Sequence, residues 1–117
     1  MAIAIADFGG RYRRYSEASA ANTALSATTP TGVACRVLYA TTAYSAAPTQ
    51  AGVTFVLDSG VAAAYDATLS TGAANGQYTV FQPTAKLALG GTDAFVVTAP
   101  AGGAGITAAV VIVVELL

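Results

Sequence analysis

The chain has no histidine, no tryptophan and a single cysteine among its 117 residues. Histidine is the commonest general base and metal ligand, so its absence excludes catalytic triads built on an imidazole. The one cysteine, Cys35, cannot form an internal disulfide. It lies in the apolar run Val33–Leu38, which predicts a buried, inert thiol. Because the usual catalytic groups are so few, we do not expect an enzyme.

Charge is also scarce. Asp, Glu, Lys and Arg make up 9% of the residues, against about 25% in a typical globular domain. The formal net charge is −1 and 55% of the residues are hydrophobic, a composition opposite to that of a disordered chain. Few charges mean little repulsion between copies. We therefore expect copies of the chain or another protein to cover much of its surface; a monomer with a Thr/Ser/Gly surface is the alternative.

Membrane and cofactor signals are missing as well. No basic residue precedes the short apolar start of the chain, so no signal peptide is expected. The longest apolar run, Ile106–Leu117, is shorter than the about 20 residues of a membrane helix. Neither a spaced acidic calcium loop nor a phosphate-binding glycine motif occurs, so no metal or cofactor is expected.

Short apolar runs alternate with Gly, Pro, Asn and Asp from residue 33 onward, which predicts strands and turns. The spacing is typical of a small β-sandwich or jelly roll of about seven or eight strands, with residues 21–117 as its body. The segment Ser16–Ala27 has no Gly or Pro and stays open between a helix and an extended strand or arm. The predicted strands are Val33–Thr41, Val53–Leu57, Val61–Tyr65, Ala67–Ser70, Gln77–Phe81, Lys86–Leu89, Ala94–Thr98 and Ile106–Leu117.

The last predicted strand is apolar on both faces over Ala108–Val114. Such a strand is normally covered by the core on one side and by something else on the other. A bare outer face would promote aggregation, and a neighbouring copy is the simplest cover. We expect a dimer or trimer in which Val110, Ile112 and Val114 take part in self-association.

Positive charge is concentrated near the start of the chain, in the stretch FGGRYRRY at positions 8–15. Tyr and Arg are enriched at interface hot spots, so residues 1–20 are predicted to be an arm that docks on another protein, with Gly9-Gly10 as its hinge. Nucleic acid is a less favoured partner, because the remaining cations are only Arg36 and Lys86. The predicted partner-contacting residues are Ile3, Ile5, Phe8, Arg11, Tyr12, Arg13, Arg14 and Tyr15.

Two other kinds of site are compatible with the residues. A sugar-binding platform would use exposed tyrosines. A small hydrolase would need Asp58 and Asp66 within about 10 Å of each other in a cleft, although turn roles are favoured for such acids. The candidate platform residues are Tyr39, Tyr44, Tyr65 and Tyr78.

The closing segment, PTAKLALGGTDAFVVTAPAGGAGITAAVVIVVELL at positions 83–117, is similar in style to the last strands of small phage virion proteins. The whole chain, with its little charge and apolar start, resembles the decoration, or cement, proteins of tailed-bacteriophage capsids. The resemblance implies a homo-oligomer made in the host cytoplasm that sits on the capsid exterior and bridges major capsid subunits. It implies no active site. A head-fibre base or tail protein has the same kind of composition.

Overall fold

The computed structural model describes residues 3–7, 9–30, 32–46, 54–58, 67–70, 78–82, 88–89 and 94–117, with backbone alone for 54–58, 67–70, 78–79, 81 and 88–89. These residues contain no helix, so the all-β prediction is confirmed. They form more strands than the seven or eight predicted: β1 Ala4–Asp7, β2 Tyr12–Ala18, β3 Leu25–Thr28, β4 Cys35–Tyr44, β5 Thr54–Asp58, β6 Ala67–Ser70, β7 Tyr78–Phe81, β8 Ala88–Leu89, β9 Val96–Ala99 and β10 Ala108–Leu116.

The strands form two antiparallel sheets. The larger sheet has six strands in the order β1-β2-β10-β4-β7, with β8 also pairing to β4. The smaller sheet has the order β3-β9-β5-β6. The most apolar strand, β10, therefore lies between β2 and β4, where both of its edges are hydrogen-bonded.

The predicted strand positions overlap the observed strands, with ends displaced by a few residues. The prediction for β6 coincides with the observed strand. The predicted strand Val61–Tyr65 lies outside the described residues. The sequence pattern does not predict β1 or the start of β2, and it leaves the end of β2 and the start of β3 open between a helix and an extended strand or arm.

Residues 1–20 do not form a separate arm in the part that is described. They supply β1 and β2, a hairpin hydrogen-bonded into the larger sheet. Gly9 and Gly10 have φ angles of 99° and 58°, values that glycine adopts without strain, and they form the hairpin turn rather than a hinge. The open segment Ser16–Ala27 contains the end of β2 and the start of β3, so its helical alternative is wrong.

One hydrophobic core joins the two sheets. Its members come from β2, β4 and β10 of the larger sheet and from β3 and β9 of the smaller one. Burial of these side chains supplies the main driving force for the fold. The core residues are Tyr15, Leu25, Ala27, Cys35, Val37, Ala40, Tyr44, Phe95, Val97, Ala99, Ile106, Ala108, Val110, Ile112 and Val114.

Two serines hold the start of β10. The Ser19 hydroxyl accepts a 2.9 Å hydrogen bond from the backbone N–H of Ala108, and the Ser45 hydroxyl accepts one of 3.0 Å from the N–H of Thr107. The backbone N–H groups of both serines donate back to the carbonyls of the same two residues. These bonds continue the pairing beyond the strand ends and hold β10 in register with both neighbours.

Candidate interaction surface

Two of the predicted partner-contacting residues are engaged within the chain. Tyr15 is 1% exposed and lies in the core, opposite Ile112 on β10. Arg13 donates from Nε to Asp7 Oδ1 at 2.6 Å and from a terminal nitrogen to Asp7 Oδ2 at 3.3 Å. The prediction that Tyr15 anchors a partner is therefore wrong, because every other residue of a strand faces the core and Tyr15 has the inward position.

The Asp7–Arg13 pair joins the two strands of the N-terminal hairpin across a directly opposed position. The hydrogen bond from Arg13 holds the pKa of the Asp7 carboxyl below its usual range. The same bond is the main cause that raises the pKa of Arg13. Because the Asp7 side chain is exposed, solvent screens this pair and its role is local alignment of the hairpin.

The other predicted contact residues of the hairpin differ in accessibility. Ile3 is half-buried against the core. Phe8 lies outside the described residues. The remaining four, Ile5, Arg11, Tyr12 and Arg14, are exposed.

The predicted self-association residues also face inward. Val110, Ile112 and Val114 are buried in the hydrophobic core. Contact with a second copy through these side chains would require the core to open. The residues of β10 that face away from the core are the alternate ones, Ala109, Val111 and Val113, and the sequence did not distinguish the two sets because both are apolar.

The surface of the larger sheet opposite the core is here called the outer face. Its residues form four rows that cross the strands in register. Most of them are Ala, Val, Ser or Thr. The rows are Tyr12–Glu115–Arg36, Ala6–Arg14–Val113–Tyr39, Ala4–Ser16–Val111–Thr41–Val80 and Ala18–Ala109–Ala43–Tyr78.

Charge occupies only one end of the outer face. Arg36 and Glu115 are directly opposed on β4 and β10 and form an ion pair, and Arg14 lies in the next row. The two rows beyond contain no charged residue. Val80, half exposed, and the alanines of β10 and β4 make this end apolar.

Two shallow depressions interrupt the outer face. One, of about 300 Å³, is lined by Ala4, Ser16, Glu17, Ala18, Ala109, Val110 and Val111. The other, of about 410 Å³, is lined by Ala6, Arg14, Tyr39 and Val113. The larger side chains of Arg14 and Tyr39 flank Val113 in their row, which explains why Val113 is only 3% exposed.

The tyrosines do not form one platform. Tyr44 is buried and donates a hydrogen bond to the Pro100 carbonyl, and burial raises the pKa of its hydroxyl. Tyr39 is exposed on the outer face, Tyr65 lies outside the described residues, and Tyr78 pairs with Ala43 at the sheet edge. A stack of four tyrosines is therefore not formed.

No other chemical site is evident among the residues that the structure describes. They contain no group of three or more potential metal ligands and no helix that is long and apolar enough to cross a membrane. The hydrolase hypothesis depends on Asp66, which lies outside the described residues. Cys35 is buried as predicted. Desolvation raises the pKa of its thiol, so a smaller fraction of the thiol is in the reactive thiolate form at a given pH.

Comparison with known proteins assigns no family. No protein-family model matches the chain, and no curated protein sequence is similar to it. Among solved structures, the crystal structure of FLHE is similar over 92% of this chain and 100% of that chain, at 14% sequence identity and a TM-score of 0.48. A similarity this low carries no inference about function.

Proposed function

We propose that this chain is a structural virion protein that decorates and stabilises a bacteriophage capsid by bridging major capsid subunits. The observation that carries the proposal is the outer face: a broad, nearly uncharged sheet surface with no cover within the described chain. Contiguous apolar patches of several hundred Å² usually mark an interface. In this proposal the two sheets form a sandwich of the jelly-roll type, and the protein works on the capsid exterior as a homo-oligomer.

The proposed contact with the capsid is the exposed part of the N-terminal hairpin. Arg11 adjoins the turn, and Tyr12 and Arg14 follow it on the outer side of β2. Ile5 adds an exposed apolar side chain on the edge strand β1. Arginine and tyrosine combine apolar area with hydrogen-bond donors, which suits a contact with carboxylates and backbone carbonyls.

Stabilisation of a shell follows from mass action. A ligand that binds the assembled shell, and not the separated subunits, shifts the equilibrium toward assembly. A single contact of about 1,000 Å² is modest. Many copies on one closed shell act together, so a modest interface for each copy is sufficient.

The test is co-sedimentation of the purified chain with empty heads from the tailed phage whose genome encodes it. We expect binding that saturates at a fixed number of copies per capsid subunit. The double variant Arg11→Ala/Arg14→Ala should weaken binding at least tenfold. The matched control is Ser26→Ala/Thr98→Ala, a pair of exposed residues opposed on the smaller sheet, which should bind as the wild type does.

Three outcomes would contradict the proposal. The first is that the gene lies outside any phage or prophage genome. The second is that the wild-type chain stays in the supernatant when the heads sediment. The third is that the arginine variant and its control bind the heads equally well. Detection of the chain only in tails or head fibres would favour another virion role. Binding to a glycan array, abolished by Tyr39→Ala, would favour a carbohydrate-binding module.

A further inference from the structure

We propose that the outer face is the interface of a homodimer in which two copies pack face to face about a two-fold axis. This inference deepens the proposed function and rests on it for its biological setting. It reassigns self-association from the buried Val110, Ile112 and Val114 to the opposite side of the same strand.

The size of the outer face is sufficient for a dimer. With about 4.8 Å between strands and about 6.8 Å between alternate residues of a strand, its positions cover about 500 Å² in projection. Two such faces that overlap fully, rim included, bury about 1,000 Å² together, which is close to the lower bound for a specific interface. The hairpin alone offers a much narrower surface, because β1 has only four residues.

The distribution of charge on the outer face matches the anatomy of an interface. Tyr12, Arg14, Arg36 and Glu115 lie toward one end, where a two-fold stack can leave them at the rim. At the rim, Tyr12 and Arg14 remain accessible for the proposed capsid contact. The rows that contain Val111 and Ala109 are uncharged and form the centre of the stack. Interface cores are depleted of charge and their rims are polar.

The outer face has both protruding side chains and depressions, as a surface that packs against the same surface of a second copy requires. Tyr39 is 38% exposed at the border of one depression, and a second depression, whose lining includes Ala4, Ala18 and Ala109, lies on the same surface. A two-fold interface brings one patch against itself, so that protrusions and hollows must both be present in it. The small residues around Ala109 allow two sheets to approach closely.

A second copy is favoured over a charged partner for an electrostatic reason. The two rows at the apolar end contain no charged residue that could pair with nucleic acid or with a strongly charged protein surface. Glu17 borders the depression beside them. Arg36 and Glu115 pair with each other within the subunit through one terminal nitrogen of the guanidinium. A neutral surface of small side chains is best complemented by another neutral, flat surface, and the chain itself supplies one.

The experiment is sedimentation equilibrium of the full chain over a range of concentrations, with Ala109→Glu as the test variant. Ala109 is exposed in the subunit, so the variant is expected to fold, which far-UV circular dichroism checks. The control is Thr98→Glu, the same new charge at an exposed strand position of the smaller sheet. We expect the wild type and the control to be dimers. We expect the dimer dissociation constant of Ala109→Glu to be at least a hundredfold higher than theirs.

A monomeric or trimeric wild type overturns the inference, as does a folded Ala109→Glu variant that dimerises as tightly as the control. If Ala109→Glu fails to fold, Val80→Glu on the edge strand replaces it with the same expected results. The two proposals fail separately. Dimers that do not bind phage heads overturn only the capsid function, and monomers that bind heads overturn only the dimer.

Discussion

The hydroxyl of Tyr44 donates a 2.6 Å hydrogen bond to the carbonyl oxygen of Pro100. Tyr44 ends β4 in the larger sheet, and Pro100 directly follows β9 in the smaller sheet. The bond therefore connects the two sheets at one end of the shared core. It also satisfies the polar end of an otherwise buried aromatic side chain.

Replacing Tyr44 by Phe is expected to lower the free energy of unfolding by about 1 kcal/mol, the usual net contribution of one intramolecular hydrogen bond. The ring stays in place, so the loss reports the hydroxyl alone. Urea denaturation measures it. Tyr39→Phe on the exposed outer face is the control and should change stability by less than about 0.5 kcal/mol. Equal midpoints for the two variants would show that the bond contributes nothing.

The same hydroxyl predicts a response to alkaline pH. Burial raises the pKa of Tyr44, so the folded state favours the neutral phenol. The corresponding stability is fully present below the unfolded pKa of about 10 and is lost as pH rises through the folded value. Tyr44→Phe should therefore show a smaller loss of stability above about pH 10 than the wild type. Parallel stability curves would contradict this assignment.

Gly102 is expected to tolerate no side chain. A Cβ atom there would lie 2.7 Å from Ile106 Cγ2 and 2.8 Å from Tyr44 Cδ1, and both neighbours are buried. Gly102→Ala should destabilise the fold by about 1–3 kcal/mol, as overpacking does. In a double-mutant cycle with Ile106→Ala, which removes one clashing atom, the two losses should sum to more than the loss in the double variant. If the losses of stability in the two single variants simply add up in the double variant, the destabilisation by Gly102→Ala does not come from contact with Ile106.

Asp7 provides a prediction for the N-terminal hairpin. The Arg13 hydrogen bond lowers the pKa of this carboxyl, so Arg13→Ala should return the pKa toward about 3.9. A carboxyl with a lowered pKa stabilises the fold above its unfolded pKa, and this contribution is lost as pH falls through the folded value. NMR titration of the Asp7 side chain measures the shift. If the pKa of Asp7 is the same in Arg13→Ala as in the wild type, the Asp7–Arg13 ion pair does not form in solution.

The bulge opposite β10 illustrates what strand patterns fail to predict. Val113 pairs with Tyr39, whereas Val114 pairs with Val37, so Leu38 is an extra residue in β4. Strict alternation from the buried Ala40 would place Leu38 in the core. The bulge turns Val37 inward instead. Its position depends on the pairing between distant strands, which local sequence does not encode.

The N-terminal stretch shows a second limit of local patterns. A cluster of arginines and tyrosines next to Gly9-Gly10 has the composition of an exposed arm. In the structure Tyr15 fills the core and Arg13 pairs with Asp7, because β10 offers β2 a free edge to join. The composition of the stretch indicates the exposure of Arg11 and Arg14. It does not indicate that Tyr15 is buried, because that depends on the pairing of β2 with the distant strand β10.

The sequence by itself determined the all-β class, the burial of Cys35 and the apolar character of both faces of the last strand. Turn residues interrupt every helical window except Ser16–Ala27, and β-branched side chains favour an extended backbone, so these properties are local. The tertiary structure alone decided which alternate set of β10 enters the core and which remains on the outer face. A shift of one residue in register exchanges the two sets, and only pairing with β2 and β4 selects between them.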